Sequence, residues 1–185
     1  MEVKGSGIIV LYEFIKTNFG MKNLNLWLNS LPKEAKEVYS KRILVSSWYS
    51  LKEFFVEPTR KMCELFYNKD LKGAREVGRF SAEYGLKRFY SSFLRTNTPQ
   101  ALVKRASQIF STYYRPCVVE AEEKGEKKIL VRIKEFPEMD EIVENRILGW
   151  IERAIEIWRG KNVQIKIIKS LVLGDSFSEF EISWE

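Results

Sequence analysis

The chain contains no histidine and only two cysteines, Cys63 and Cys117. The first absence excludes a Ser-His-Asp triad, a Cys-His dyad and any histidine-ligated haem or zinc site. The second leaves too few thiols, too far apart in sequence, for a metal motif or a disulfide framework. No apolar run approaches the roughly 20 residues of a membrane span. The apolar stretch 7–12 lies beside Glu13 and Lys16, and no small-residue cleavage site follows it. It does not read as a signal peptide, and a cytoplasmic location is the expectation. There is no low-complexity segment, internal repeat, Gly-rich phosphate loop or helix-turn-helix signature. No spacing of Asp and Glu singles out a catalytic pair, so neither a metal, a cofactor nor a reaction is indicated.

What is present suits an ordered globule. Hydrophobic residues make up 45% of the 185 and aromatic residues 14%, enough for one sizeable core without staples. Abundant Lys, Glu and Ile with few Gln hint at a thermophile. The net charge of +6 hides an asymmetry: residues 1–116 carry 20 basic and 10 acidic side chains, residues 117–185 carry 11 and 15. Opposite charges on the two parts can dock them onto each other or onto a second copy, and the basic part could attract an anionic ligand or nucleic acid.

Periodicity predicts a first helix over 4–19 ended by Gly20, short helices over 24–31 and from Pro32, and an extended or irregular stretch 43–49. Ser50 and Glu53 form a capping-box pattern ahead of a helix that Pro58 should kink or restart. Asp70 is placed to cap a long helix over 71–95, and Thr98-Pro99 opens another over 99–114. At Arg115-Pro116 the pattern changes. Strands are expected over 117–122 and 127–133, a helix over 138–159, and strands over 162–173 and 178–185, with Gly174-Asp175 as a hairpin turn. The result is a single α+β domain over 1–185. Amino-terminal helices (1–45) and a further helical part (46–116) pack on a four-stranded antiparallel sheet plus helix (117–185), in the order strand-strand-helix-strand-strand.

Four features could carry function. Ala74, Gly78, Ala82 and Gly85 form a row of small residues on one helix, suited to close approach by a neighbouring helix, a second subunit or a ligand. Lys72, Arg75, Arg79, Lys87 and Arg88 lie on the same helix as a solvated charged stripe or an anchor for an anionic group. Tyr113, Tyr114 and Arg115 sit at the helix-to-sheet corner, where they could line a pocket or simply pack the junction. With Cys63, Phe89, Phe93 and Trp150 they make the candidate lining of an apolar pocket. Cys63 and Cys117 read first as small buried hydrophobes, with a reactive or acylated thiol as the alternative.

Several segments together resemble a known superfamily. Lys4-Gly5-Ser6-Gly7, Glu13-Phe14 and Asn18-Phe19-Gly20 resemble the opening of haem–nitric-oxide-binding domains. Ser46-Ser47-Trp48-Tyr49, Tyr113-Tyr114 and Leu148-Gly149-Trp150 are similar to microbial relatives of that group. The closing Gly174-Asp175, Ser178-Glu179-Phe180-Glu181 and Trp184 resemble the end of vinyl-4-reductase-like domains. The superfamily spans ligand-binding domains of nitric-oxide signalling and Golgi transport, including the Bet-type subunits of the TRAPP tethering complex. It implies a compact α+β domain, helix-mediated homodimers and a small hydrophobic ligand. The departures are the missing proximal histidine, the missing Tyr-x-Ser-x-Arg propionate motif, and Ser178 where vinyl-reductase-like relatives often keep cysteine.

The expectation is therefore a non-catalytic ligand-binding or regulatory domain that forms a homodimer. The alternatives are a protein-interaction scaffold resembling vesicle-tethering subunits, or an accessory protein of tetrapyrrole reduction.

Overall fold

The computed structural model describes residues 1–88, 105, 108–158 and 160–185. Phe89, Phe93 and half of the expected 99–114 helix lie outside the described residues, as do the side chains of Lys87 and Arg88. The chain opens with β1 (Glu2–Lys4), which pairs antiparallel with β2 (Trp48–Ser50) and β3 (Tyr114–Arg115). These strands have three, three and two residues, too short to show alternation in the sequence.

Helix α1 (Gly5–Ser30) continues past the expected stop, but Gly20 breaks it with φ 78° and ψ 173°. No side chain caps its start. Instead the N–H groups of Gly5 and Ser6 donate to the carbonyls of Ser47 at 2.8 Å and Val45 at 3.0 Å. A Cβ on Gly5 would stand 2.1 Å from the Leu44 carbonyl oxygen, so glycine is what lets the loop before β2 lie on this helix end.

Helix α2 (Lys33–Ser40) follows Pro32. A π-helical turn (Lys52–Val56) then leads into α3 (Glu57–Phe66). Pro58 has no N–H to give the Phe54 carbonyl four residues earlier. Tyr39 Oη from α2 donates to that oxygen at 2.8 Å, and Trp27 Nε1 from α1 donates to the Pro58 carbonyl at 2.9 Å. The helix passes from π to α at the proline; the carbonyl it leaves free anchors α2, and its own carbonyl anchors α1.

Helix α4 (Lys72–Arg88) is capped by Asp70, whose Oδ1 accepts from the Lys72 N–H at 2.8 Å. Residues 108–113 form α5. Helix α6 (Glu141–Trp158) connects the two hairpins of an antiparallel sheet made of β4 (Val118–Gly125), β5 (Lys128–Glu135), β6 (Gln164–Lys169) and β7 (Ser178–Ser183), in the order β4-β5-β7-β6. The fold class is thus α+β as expected. Along β7, Ser178, Phe180 and Ile182 are buried and alternate with half-exposed Glu179, Glu181 and Ser183. The expected strand over 162–173 is too long. After Lys169 the Ser170 hydroxyl accepts from the Val172 N–H at 3.1 Å and starts a 3₁₀ turn, closed by Gly174 at φ 91°. Gly174 and Asp175 belong to this longer connection, not to a two-residue hairpin.

The most extensive contact between described elements is α4 against α6. It is reciprocal: a Cβ on Gly78 would lie 2.1 Å from the Arg146 carbonyl oxygen, and one on Gly149 would lie 2.1 Å from that of Arg75. Backbone meets backbone at both points. Ion pairs line the seam, with Arg75 on Glu152 at 2.6 Å, Arg79 on Glu152 and Glu156, and Arg153 on Glu83 at 3.2 Å and Glu156 at 2.8 Å. Arg60 reaches Asp140 at 2.8 Å and Glu141 at 2.7 Å. The charge asymmetry of the sequence therefore works within the molecule, joining the basic helices to acidic α6.

Candidate functional site

The apolar row of α6 runs Ile142, Arg146, Trp150 at four-residue spacing, so a guanidinium occupies a core position. Arg146 is 3% exposed. Its Nη1 donates to Thr59 Oγ1 of α3 at 3.0 Å and its Nη2 to the Gly7 carbonyl of α1 at 3.2 Å. Its Cζ lies 3.7 Å from the centre of the Phe55 ring. Thr59 is oriented by its own back-bond, its hydroxyl donating to the Phe55 carbonyl at 2.6 Å. The π-helical turn thus presents the ring and positions the threonine on one side of the cation.

Among the described residues no carboxylate pairs with Arg146. Every buried side-chain nitrogen and oxygen in the described structure has a hydrogen-bond partner. What Arg146 lacks is therefore a counter-charge, not a bond. Burial pushes its pKa down, against the opposing influence of Tyr114, Tyr39 and Cys63. A buried charge without an opposite one costs several kcal/mol, and the stacked ring and neutral acceptors offset only part of that.

A cavity of about 30 Å³ adjoins this charge, lined by Gly7, Phe55, Gly78, Ser81, Ile109, Phe110, Tyr113, Tyr114, Arg146, Ile147 and Trp150. That volume admits one or two water-sized groups. Gly7 and Phe55, which touch the guanidinium, both face the cavity, so the charged head lies at its edge. Phe110 and Trp150 meet edge to face at 5.4 Å, and Phe55 and Tyr114 at 5.8 Å. Burial raises the pKa of Tyr114 and keeps its hydroxyl protonated, although Arg146 pulls the other way.

Tyr113, Tyr114 and Trp150, expected from the sequence, do come together in this cavity. Arg115 does not: it stacks on Trp48 at 4.2 Å and pairs with Glu2 at 2.6 Å on the surface of the small sheet. Cys63 does not line it either. It is buried under α4 beside Gly73 and Tyr67, and burial pushes its thiol up to about 11. Burial pushes the Cys117 thiol up to about 12, so both cysteines are protonated at neutral pH and weak nucleophiles.

Ala74, Gly78, Ala82 and Gly85 are all buried inside one chain. Gly78 receives α6, and Gly85 lies near the Tyr113 hydroxyl. The row thus packs inside the chain in this structure. Of the basic stripe, Lys72 is exposed, while half-buried Arg75 and Arg79 hold Glu152 and Glu156. Arg146, Phe55, Gly7 and Phe110 were not anticipated. Arg146 was detectable, as the one charge inside an apolar helical row; Phe55 and Gly7 reach the site only through tertiary packing.

Ser178 is fully buried and structural. Its Oγ accepts from the Leu171 N–H at 2.9 Å and, with Ser170 Oγ, donates to the carboxylate of Glu144, at 3.3 Å and 2.6 Å respectively. Asp175 Oδ2 accepts from the Ser170 N–H at 2.8 Å.

This arrangement of helices, small sheet and four-stranded sheet is the fold of haem–nitric-oxide-binding (H-NOX) domains. An H-NOX protein from S. oneidensis in the Fe(II)NO state matches with a TM-score of 0.77 at 15% identity, over 98% of this chain and 99% of that one. A K. algicida H-NOX protein in the Fe(II) unliganded state matches at 0.74 and 12%, over 98% and 96%. A histidine-to-glycine mutant of an H-NOX domain from Shewanella oneidensis in the Fe(II)CO state matches at 0.73 and 17%, over 98% of each chain. No family model matches the sequence, and no curated protein does.

The residues do not fit a histidine-ligated haem. The chain has no histidine to offer. Neither cysteine lines the cavity, and no group of three or more His, Cys, Asp or Glu among the described residues could hold a metal ion. Five aromatic rings and an arginine fill the space down to about 30 Å³, against the several hundred that a drug-sized ligand needs. No helix among the described residues is long and apolar enough to cross a membrane.

Proposed function

We propose that this chain is a non-catalytic small-ligand-binding domain, a regulatory module on the H-NOX fold that works without histidine-ligated haem. The observation carrying this reading is the cavity where α1, α4, α5 and α6 meet, walled by Phe55, Phe110, Tyr113, Tyr114 and Trp150 and edged by buried Arg146. Aromatic walls with one fixed polar anchor are the usual make-up of a small-molecule site. The H-NOX neighbours in Fe(II)NO and Fe(II)CO states support the broader reading of a domain that responds to a small molecule.

Native mass spectrometry of freshly purified protein, with tryptophan fluorescence of wild type and Trp150→Phe in a small-molecule screen, tests the proposal. The expected outcome is a bound mass or a saturable signal that disappears with Trp150. A clean apo mass together with an unresponsive Trp150 would sink it.

A further inference from the structure

We infer that the ligand is a small carboxylate, gripped at its charged end by Arg146. The inference rests on the proposed ligand-binding function and names the chemistry of that site. It starts from the missing counter-charge: a buried guanidinium at the cavity edge that, among the described residues, meets neutral oxygens and one ring. A planar guanidinium matches a carboxylate two bonds at a time and does so best away from water.

Arg146 is also held in place. Thr59 Oγ1 and the Gly7 carbonyl each fix one terminal nitrogen, and the Phe55 ring fixes the plane. A pre-oriented cation loses little freedom when an anion arrives. The cavity of about 30 Å³ sets the size: little more than a carboxylate head, such as formate or acetate, beside Trp150 and Phe110, not a fatty acid. Arg60, Arg75, Arg79, Arg115, Arg132 and Arg153, by contrast, are each already paired with a carboxylate.

The test is thermal unfolding of the full chain with sodium formate, acetate, propionate or butyrate, against sodium chloride at equal ionic strength and against neutral acetamide. A carboxylate at a hundred times its dissociation constant should raise Tm by about 5–10 °C. The effect should fade at butyrate, while chloride and acetamide do little. Arg146→Met should lose the carboxylate response and, in chloride, keep a Tm at or above wild type, because a buried uncompensated charge is gone.

No carboxylate-specific rise in wild type, or an equal rise in Arg146→Met, overturns the inference. Should Arg146→Met fail to fold, the Arg146 Nε resonance of wild type replaces it: a shift with acetate but not acetamide supports the proposal, and no shift overturns it. If acetamide and acetate bind equally at Trp150, the carboxylate inference falls and the ligand-binding reading stands. If neither binds and the native mass is clean, both fall.

Discussion

Glu144 and Arg146 sit two residues apart on α6, both buried, and face opposite sides of the helix. On the Glu144 side the connection between β6 and β7 is built around the charge: Ser170 and Ser178 both donate to it, and Asp175 and Gly174 shape the turn that brings them there. On the Arg146 side the neighbours are a threonine, a backbone carbonyl, a phenyl ring and a cavity. The first charge is surrounded by groups that serve it. Among the described residues neither charge meets an opposite one, but the second is held in position beside an open space. Within one helix this separates a polar residue that completes the fold from one available to something else.

The comparison can be broken from its common support. Gly78→Ala puts a methyl group 2.1 Å from the Arg146 carbonyl oxygen, so α6 must move away from α4 and both sites lose their geometry. A loss of about 3 kcal/mol or more in urea unfolding is expected. Glu144→Ala should cost about 2–3 kcal/mol, because it removes charged hydrogen bonds from two buried hydroxyls. Arg146→Met should cost nothing or stabilise. Opposite signs for these two variants would confirm the contrast; equal losses would show that Arg146 is as structural as Glu144.

The half-buried ion pairs along the α4–α6 seam matter less. Arg79→Ala should cost about 0.5–1 kcal/mol, and the difference should shrink in high salt.

The smallest expected effect is in acid. Partial burial works to raise the pKa of Glu156, but hydrogen bonds from Arg153 and Arg79 win and hold it below the ordinary glutamate value. Its stabilising contribution is therefore present above that value and lost as pH falls through the lower folded-state pKa. Unfolding measured from pH 6 to pH 3 should show a shallower acid decline in Arg79→Ala than in wild type.

Most of the fold could be read from the chain because its elements are long enough to show a period. The α6 helix and the alternation of Ser178, Phe180, Ile182 and Trp184 are examples. The sheet β2-β1-β3 could not be read, since its strands are shorter than one recognisable repeat. Pro58 signalled a restart, but nothing local said that Tyr39 would take the freed carbonyl. Half of the site was visible: Tyr113, Tyr114 and Trp150 stood out as aromatics at a junction. Arg146 was passed over because an apolar row invites attention to its hydrophobic members. Arg115 was chosen for its place beside Tyr114 and Cys63 as a candidate acylated thiol, but the corner at Arg115-Pro116 turns that arginine outward onto Trp48.

The double glycine contact between α4 and α6 has a mechanical consequence for the cavity. Gly78 lines it, and its backbone already rests on that of α6. This wall cannot recoil inward, nor can it swing away without undoing the seam of arginines and glutamates. Any guest that enlarges the space must push on α1 or α5 instead. The start of α1 is tied by backbone bonds to the loop ahead of β2. Occupancy would thus be transmitted as a displacement of the amino-terminal helix and that loop against a stationary frame.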